Sequence, residues 1–447
     1  MFTNSFYVKA PIWLQNLMLS LRALSRKMIR ENSEMYAVLK EIQENEFSKT
    51  HLAQYQQQQL QQTLVNACEK VPYYQHLGLQ SGSGIEAFPY LDKTILRHEH
   101  EQFISSVKPS VVVHGATSGT TGTPLTILQD MRSVIREQAF VARQMAWAGY
   151  RKGDKRAWIR GDMVVPLSQK QGPFWRYSWF EQMIIMSSFH LTPKAMPSYL
   201  QAMVDFGVEV IQAYPSSIAA LARYLETNQT YYPSKLKSII TSSESLSEED
   251  RQVIETRFGC KVFDWYGLFE RVAAIGQCEH GRYHLLSDYS QVELVEAGQG
   301  RYELIGTNFN NHYFPLIRYK TGDHVYLSEN ETCPCGRVFP VIDRIEGRIG
   351  DYLIGEDGQK VHILNHIPKG VAGIIACQFV QHKRQEIIVK VVADSELFDM
   401  EQQKILIGNT QARLGTTITV TVEVVVELQR TANGKIRQAI CTIKDVM

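Results

Sequence analysis

Residues 117–125 read Thr-Ser-Gly-Thr-Thr-Gly-Thr-Pro-Leu and lie between an apolar run at 111–113 and a strand-like run at 125–128. Glycines let a backbone approach a ligand closely, and hydroxyls add hydrogen-bond donors. Placed between two strands, such a loop suits a polyphosphate. No Gly-Lys-Ser/Thr follows, so it is not a Walker loop. A plain hairpin turn is the competing reading of this stretch taken alone.

Outward from the loop, strands and helices alternate from residue 110 to about 345. Residues 156–160, 209–213, 238–242 and 261–265 read as short buried strands, and 216–227 and 247–258 as helices between them. Ser247 suits an N-cap, with acidic residues in the turn that follows. Such alternation predicts α/β layers. After Gly347 the character changes. Two β-rich runs, 386–392 and 417–428, flank a helix near 400–413, which predicts a small α+β domain. Residues 10 to about 75 carry helical periodicity. The expected division is a helical extension at 1–75 packed on a large α/β domain at 76–347, then a small domain at 348–447.

Composition narrows the function. The chain has 447 residues with 47 basic and 46 acidic side chains, a balance that argues against a general nucleic-acid binder. No apolar run is long enough to span a bilayer. The apolar stretch at 12–24 is broken by Gln15, Asn16 and Arg22 and lacks a signal-peptide pattern, so the cytoplasm is the default expectation. Ile12, Trp13, Leu17, Leu21, Leu24 and Met28 fall near helical spacing, beside Arg22, Arg26, Lys27 and Arg30. The simpler reading packs that stripe on the protein itself. The other is a weak contact with an anionic membrane surface. The Gln-rich run at 54–62 reads as an exposed helix face. Seven cysteines do not form a disulfide pattern. Cys333 and Cys335 instead pair with Cys278 and His284 as a candidate tetrahedral zinc site of structural type. His280 is a competing ligand, and a metal-free turn is the alternative for Cys333-Pro-Cys335-Gly336.

Downstream of 117–124 come Tyr-Pro-Ser-Ser (214–217), Thr-Ser-Ser-Glu (241–244), Tyr-Gly-Leu-Phe-Glu (266–270), Arg-Tyr-Lys-Thr-Gly-Asp (318–323), Gly-Arg-Ile-Gly-Asp (347–351) and Ala-Asn-Gly-Lys-Ile-Arg (432–437). This ordered set resembles the adenylate-forming superfamily of acyl-CoA synthetases, peptide-synthetase adenylation domains and luciferases. Val-Pro-Tyr-Tyr (71–74), the helical N-terminus and Cys-Pro-Cys-Gly-Arg (333–337) bring it nearest the phenylacetate–CoA ligase branch, which includes homologues associated with capsular polysaccharide synthesis. The resemblance runs from about residue 55 to the end.

The resemblance implies a large layered α/β domain and a small mobile C-terminal α+β domain. It implies ATP, Mg²⁺ and a carboxylic acid as partners, with CoA as the usual acceptor. Thr117, Ser118, Gly119, Thr120, Thr121 and Gly122 would hold the β- and γ-phosphates. Ser243, Glu244, Tyr266, Gly267, Asp323 and Arg348 would line the nucleotide, with Tyr266 near the adenine and Asp323 on the ribose hydroxyls. Glu270 would bind Mg²⁺. Lys435 would neutralise charge at the α-phosphate. Tyr214 and Trp265 are the acid-pocket candidates. Trp175, Tyr177, Trp179 and Phe180 read either as pocket lining or as core. The branch also carries similar cysteine and histidine positions, sometimes with zinc.

The sequence departs from the family pattern in three places. The loop's usual lysine is missing, with Thr123 and Leu125 at those positions. Phe269 stands where a small hydroxyl residue precedes the glutamate, and Gly350 replaces the usual hinge aspartate. The leading expectation is acyl- or aryl-adenylate formation followed by thioester formation with CoA. Transfer to an amine, in surface polysaccharide biosynthesis, is the second. A non-catalytic nucleotide-binding homologue is the third.

Overall fold

A computed structural model describes residues 5–80, 82–116, 125–348, 353–357, 360–361, 364, 367–368, 370–430 and 436–443. The loop at 117–124, the junction at 349–352 and Lys435 lie outside the described residues. The chain forms two compact bodies. The first holds residues 1–23, 152–262 and 349–447; the second holds 24–151 and 263–348.

In the first body, strands Ser238–Ser242, Val210–Ala213, Arg156–Arg160, Met183–Ser187 and Trp175–Ser178 neighbour one another in that order. The first four run parallel, and Trp175–Ser178 is antiparallel. Parallel strands covered on both faces read as unbroken apolar runs, and Met183–Ser187 is buried along its whole length. Helices Met196–Phe206, Pro215–Thr227 and Glu248–Phe258 bury Met203, Ile218, Leu221, Ile254 and Phe258 against Ile159, Ile184, Ile211 and Ile239. Ser247 accepts the N–H of Asp250 as the predicted cap, a contact of about 1 kcal/mol.

The C-terminal part of this body has its own sheet, ordered Thr419–Val424, Glu386–Ala393, Ile374–Lys383 and Ala439–Cys441, with helix Met400–Leu414. Leu364, Phe379, Val389, Leu406, Leu414 and Ala439 form its core. The predicted helix and both β-rich runs are present, but the second strand stops at Val424. Leu428, with Ile375 and Val392, instead joins the core of the α/β layers. Strand Ile374–Lys383 escaped prediction because two glutamines interrupt its apolar pattern. Gln381 is buried and donates to the carbonyls of Ile354 and Arg384, and Gln378 donates to those of Gln429 and Arg437.

The second body contains helices Ser33–Asn45, Lys49–Lys70, Pro72–His76 and Met131–Trp147. The Gln-rich run lies on Lys49–Lys70, mostly exposed, with Gln59 turned inward. An antiparallel sheet runs through Ser290–Glu296, Arg301–Asn308, Tyr319–Leu327, Val341–Arg348, Tyr283–Leu285, Ala274–Gln277 and Val262–Gly267. Val112–Ala116 and Thr126–Asp130 form a separate antiparallel hairpin, with Ala116 opposite Thr126. The two runs flanking the opening loop are therefore the arms of one hairpin. Tyr74, from the Val-Pro-Tyr-Tyr motif, is buried. Its hydroxyl donates to the Pro315 carbonyl and accepts from the Ile317 N–H, bracing the chain just before strand Tyr319–Leu327.

The N-terminal helix Ile12–Arg30 reverses the simpler expectation. It buries Gln15, Asn16, Leu19, Ser20 and Ala23, while Ile12, Trp13, Leu17, Leu21 and Met28 face outward. Leu24 is half-buried. Among the described residues no helix is long and apolar enough to cross a membrane.

Candidate functional site

In the first body the functional residues collect at the carboxyl ends of parallel strands, where open α/β sheets bind ligands. Register aligns Ile159 with Ala213 and Ala213 with Thr241. The next residues along, Arg160, Tyr214 and Ser242, therefore emerge together. The Arg160 guanidinium donates to the hydroxyls of Ser242 and Ser243 at 2.5 and 2.6 Å. It lies over the rings of Trp158 and Tyr214, 4.9 and 5.1 Å from their centroids. Burial lowers the pKa of Arg160 and raises that of Tyr214. Ser243 has a φ of +74°, which turns the chain so that Glu244 follows the strand inward.

The Glu244 carboxylate bridges two segments. Its Oε2 accepts the Ser216 N–H, at the start of helix Pro215–Thr227, and its Oε1 accepts the Ile436 N–H, each at 3.0 Å. Burial raises its pKa, opposed by those N–H donors and by Arg430. Arg430 and Ile436 form an isolated antiparallel bridge. Lys435, which lies outside the described residues, directly precedes Ile436 in sequence.

In the second body, strand Val262–Gly267 presents Trp265, Tyr266 and Gly267. Trp265 packs against the Trp147 and Phe339 side of the core. The Tyr266 hydroxyl donates to Asp323 Oδ2 at 2.7 Å. Asp323 is buried, and its N–H donates to Thr321 Oγ1. Gly322 has a φ of +72°, and the ladder to Arg301–Asn308 skips register across this point. The Thr-Gly-Asp sequence thus makes an irregularity that a side chain at 322 would strain. Asp323 stands opposite Arg348 on the neighbouring strand.

Glu270 is only 1% exposed. Tyr319 OH approaches its Oε1 at 3.5 Å, and Asn308 Nδ2 donates to its backbone carbonyl at 3.3 Å. Both of its neighbours are tied to the 112–130 hairpin. Gln129 donates to the Phe269 carbonyl, and Arg271 donates to Ser133 Oγ at 2.7 Å and Gln129 Oε1 at 2.9 Å. The Phe269 ring covers Gly115 so closely that a Cβ there would lie 1.9 Å from the ring. Phe269, the departure from the family pattern, thus pairs with a glycine two residues before the loop at 117–124.

The sulfur cluster occupies the other end of the Tyr319–Leu327/Val341–Arg348 hairpin. Cys333 and Cys335 sit in the connection between its strands, Cys278 follows Ala274–Gln277, and His284 lies on Tyr283–Leu285. The four ligand atoms all lie within 4.8 Å of one another. Cys278 Sγ and Cys333 Sγ are 3.7 Å apart, and Cys335 Sγ is 3.4 Å from His284 Nε2. Two sulfurs bound tetrahedrally to one zinc sit roughly 3.7 Å apart, given Zn–S bonds of about 2.3 Å. His284 Nδ1 faces the Phe339 carbonyl at 3.4 Å, which directs the Nε2 lone pair toward the thiols. Burial pushes the Cys333 thiol up to about 12 and His284 down to about 4. The donor set fits a divalent zinc ion, and His280 is not part of it. The cluster and Asp323 lie toward opposite ends of the hairpin. Arg337 backs it, bonded to Glu46 at 2.9 Å and Glu279 at 2.8 Å and stacked over Trp147.

The remaining candidates divide as follows. Thr117, Ser118, Gly119, Thr120, Thr121, Gly122 and Lys435 lie outside the described residues. Trp175 and Tyr177 pack on the core of the first body, while Trp179 and Phe180 are exposed. Sequence reasoning missed Arg160. Its one signal was a charged residue closing an otherwise buried strand.

The AMP-binding enzyme family matches residues 14–296, and the CapK C-terminal domain matches residues 353–442. Protein CapK of Staphylococcus aureus is 26% identical, covering 99% of this chain and all of its own length. Phenylacetate-coenzyme A ligase of Pseudomonas putida is 25% identical across 83% of this chain and 89% of its own. The solved structure of 2-hydroxyisobutyryl-CoA ligase, in its postadenylation state with R3-HIB-AMP, overlays with a TM-score of 0.66 at 18% identity. The overlay covers 89% of this chain and 91% of that one, a likeness of fold.

Proposed function

This chain belongs to the AMP-binding enzyme family and is an AMP-forming ligase, and we propose that it activates a carboxylic acid as an acyl- or aryl-adenylate and passes the acyl group to CoA. One observation carries the reading. Glu244, at the carboxyl end of a parallel strand beside Arg160 and Tyr214, holds the N–H of the residue that follows Lys435. That contact sets the Ile436 backbone at a strand end of the kind where open α/β sheets bind ligands, and the residue before it in sequence is the lysine that the resemblance assigns to neutralising charge during attack on a phosphate.

In the proposed first step an oxygen of the acid attacks the α-phosphorus of ATP. The bond from that phosphorus to the β-phosphate bridging oxygen breaks, and pyrophosphate leaves. Lys435 offsets the charge that builds on the α-phosphate. Asp323, oriented by Tyr266, accepts from the ribose hydroxyls, and Arg348 and Gly267 line the nucleotide. Thr117 to Gly122 hold the β- and γ-phosphates, and Ser243 and Glu244 frame the nucleotide. Glu270 supplies a hard oxygen donor suited to Mg²⁺, which screens phosphate charge when bound. Tyr214 is the acid-pocket candidate of the first body; Trp265, the other candidate, packs on the core of the second. In the second step the CoA sulfur attacks the acyl carbon, AMP leaves, and the C-terminal domain at 348–447 presents a different face.

Cys278, His284, Cys333 and Cys335 would hold a structural zinc. All four ligands come from the protein, so no position stays open for chemistry. The alternative acceptor is an amine, on a surface-polysaccharide precursor. Pyrophosphate release measured across a panel of carboxylic acids, with and without CoA, tests the scheme. Acid-dependent release followed by CoA-dependent thioester supports the first acceptor. Release with no thioester moves the assignment to the amine, and no release with any acid overturns adenylation.

A further inference from the structure

We propose that helix Ile12–Arg30 seats the protein on an anionic lipid surface, lying in the headgroup plane with its apolar stripe toward the acyl chains. The helix is mounted by its polar face. Asn16 Oδ1 accepts the Tyr177 N–H and Ser20 Oγ accepts the Trp179 N–H, each at 3.0 Å. Gln15 donates to the carbonyls of Tyr7 and Ala10 and accepts from Arg176. Strand Trp175–Ser178 is the last strand of its sheet, so these side chains cap backbone donors that a sheet edge otherwise leaves exposed. Spacing of four residues, Asn16 to Ser20, matches the alternate amides 177 and 179.

Using the polar face for the fold turns the apolar face outward. Trp13, Leu17, Leu21, Leu24 and Met28 recur at helical spacing, with Trp13 64%, Leu21 52% and Met28 72% exposed. Trp179 and Phe180, in the segment that Ser20 holds, are also exposed. Charge selects the occupant. Residues 1–30 contain Lys9, Arg22, Arg26, Lys27 and Arg30 and no acidic residue, in a chain whose totals are 47 basic and 46 acidic. An apolar stripe containing tryptophan on a helix whose charged side chains are all basic matches the interfacial amphipathic type, and it is not long and apolar enough to cross.

The test is flotation of the full chain with vesicles of phosphatidylcholine alone or with phosphatidylglycerol added. The expected result is binding to the anionic vesicles at least roughly tenfold tighter than to the neutral ones, weakened by salt. Leu17→Glu with Leu21→Glu should abolish binding, and Arg26→Gln with Lys27→Gln should reduce it severalfold, with acid-dependent pyrophosphate release in solution unchanged in both. That unchanged release certifies folding, and circular dichroism serves the same end if no acid substrate is found. Equal binding to both vesicle types, or none to either, overturns the proposal. So does a wild-type dimer that the Leu17/Leu21 variant converts to monomer without any effect on flotation.

Discussion

The hairpin Tyr319–Leu327/Val341–Arg348 carries a cluster at each end, and the two are built in opposite ways. At one end Cys278, His284, Cys333 and Cys335 turn their donor atoms on a common centre within the protein. At the other, Asp323 is braced by Tyr266 and by its own turn, and stands opposite Arg348. Glu270, in the same body, is held through its neighbours in the chain and not only through its own carboxylate. A closed cluster spends its bonding capacity on the fold. In the proposed scheme a braced carboxylate keeps its geometry for a ligand that comes and goes. Damage to the first should therefore appear in stability and metal content, and damage to the second in turnover.

The largest effect is expected from Cys333→Ser. It should remove bound zinc and lower unfolding stability by about 4 kcal/mol or more, the range in which loss of a structural metal falls. Elemental analysis and denaturant unfolding check both parts. Stoichiometric zinc retained by the variant, or a metal-free wild type of equal stability, would break the comparison at this end.

Glu270→Gln comes next. It should cost on the order of 100- to 1000-fold in pyrophosphate release, about 3–4 kcal/mol of transition-state stabilisation, and raise the Mg²⁺ concentration needed. Zinc content and thermal midpoint should stay near wild type. A variant with unchanged turnover and a collapsed midpoint would make Glu270 a structural acid and erase the contrast. Asp323→Asn should act more mildly. It should raise the KM for ATP roughly tenfold or more, because a charged acceptor for hydroxyl donors is lost, worth about 1.5–3 kcal/mol. A fall in kcat with an unchanged KM would move Asp323 away from ground-state nucleotide binding.

Much of this was legible before any coordinates. Alternating runs and cap residues such as Ser247 placed the strands and helices, because those signals are local. The cysteine and histidine positions singled out in the sequence are the four that the fold brings together. What escaped depends on neighbours distant in sequence. Asn16 and Ser20 look like flaws in an amphipathic helix until the unpaired amides of residues 177 and 179 are beside them. Gln378 and Gln381 look like breaks in a strand until their buried partners appear. Arg160 has no motif of its own and gains meaning only where three strands end together.

Phe269 is the sharpest such case and gives the smallest predicted effect. By sequence it is a loss, an aromatic ring in place of a small hydroxyl residue. In the fold its ring fills the space over Gly115, in the strand that leads to residues 117–124. Gly115→Ala should therefore be disproportionate for a methyl group on a strand, where alanine alone is unremarkable. Displacing the ring should cost about 1–2 kcal/mol of stability and slow pyrophosphate release by disturbing Glu270, the next residue along. Phe269→Ser in the same chain should restore most of the lost rate, because the clash is gone and Glu270 can return. If the double variant is as slow as Gly115→Ala alone, the ring and the glycine are not the coupled pair that sets Glu270, and its bracing rests on Gln129 and Arg271.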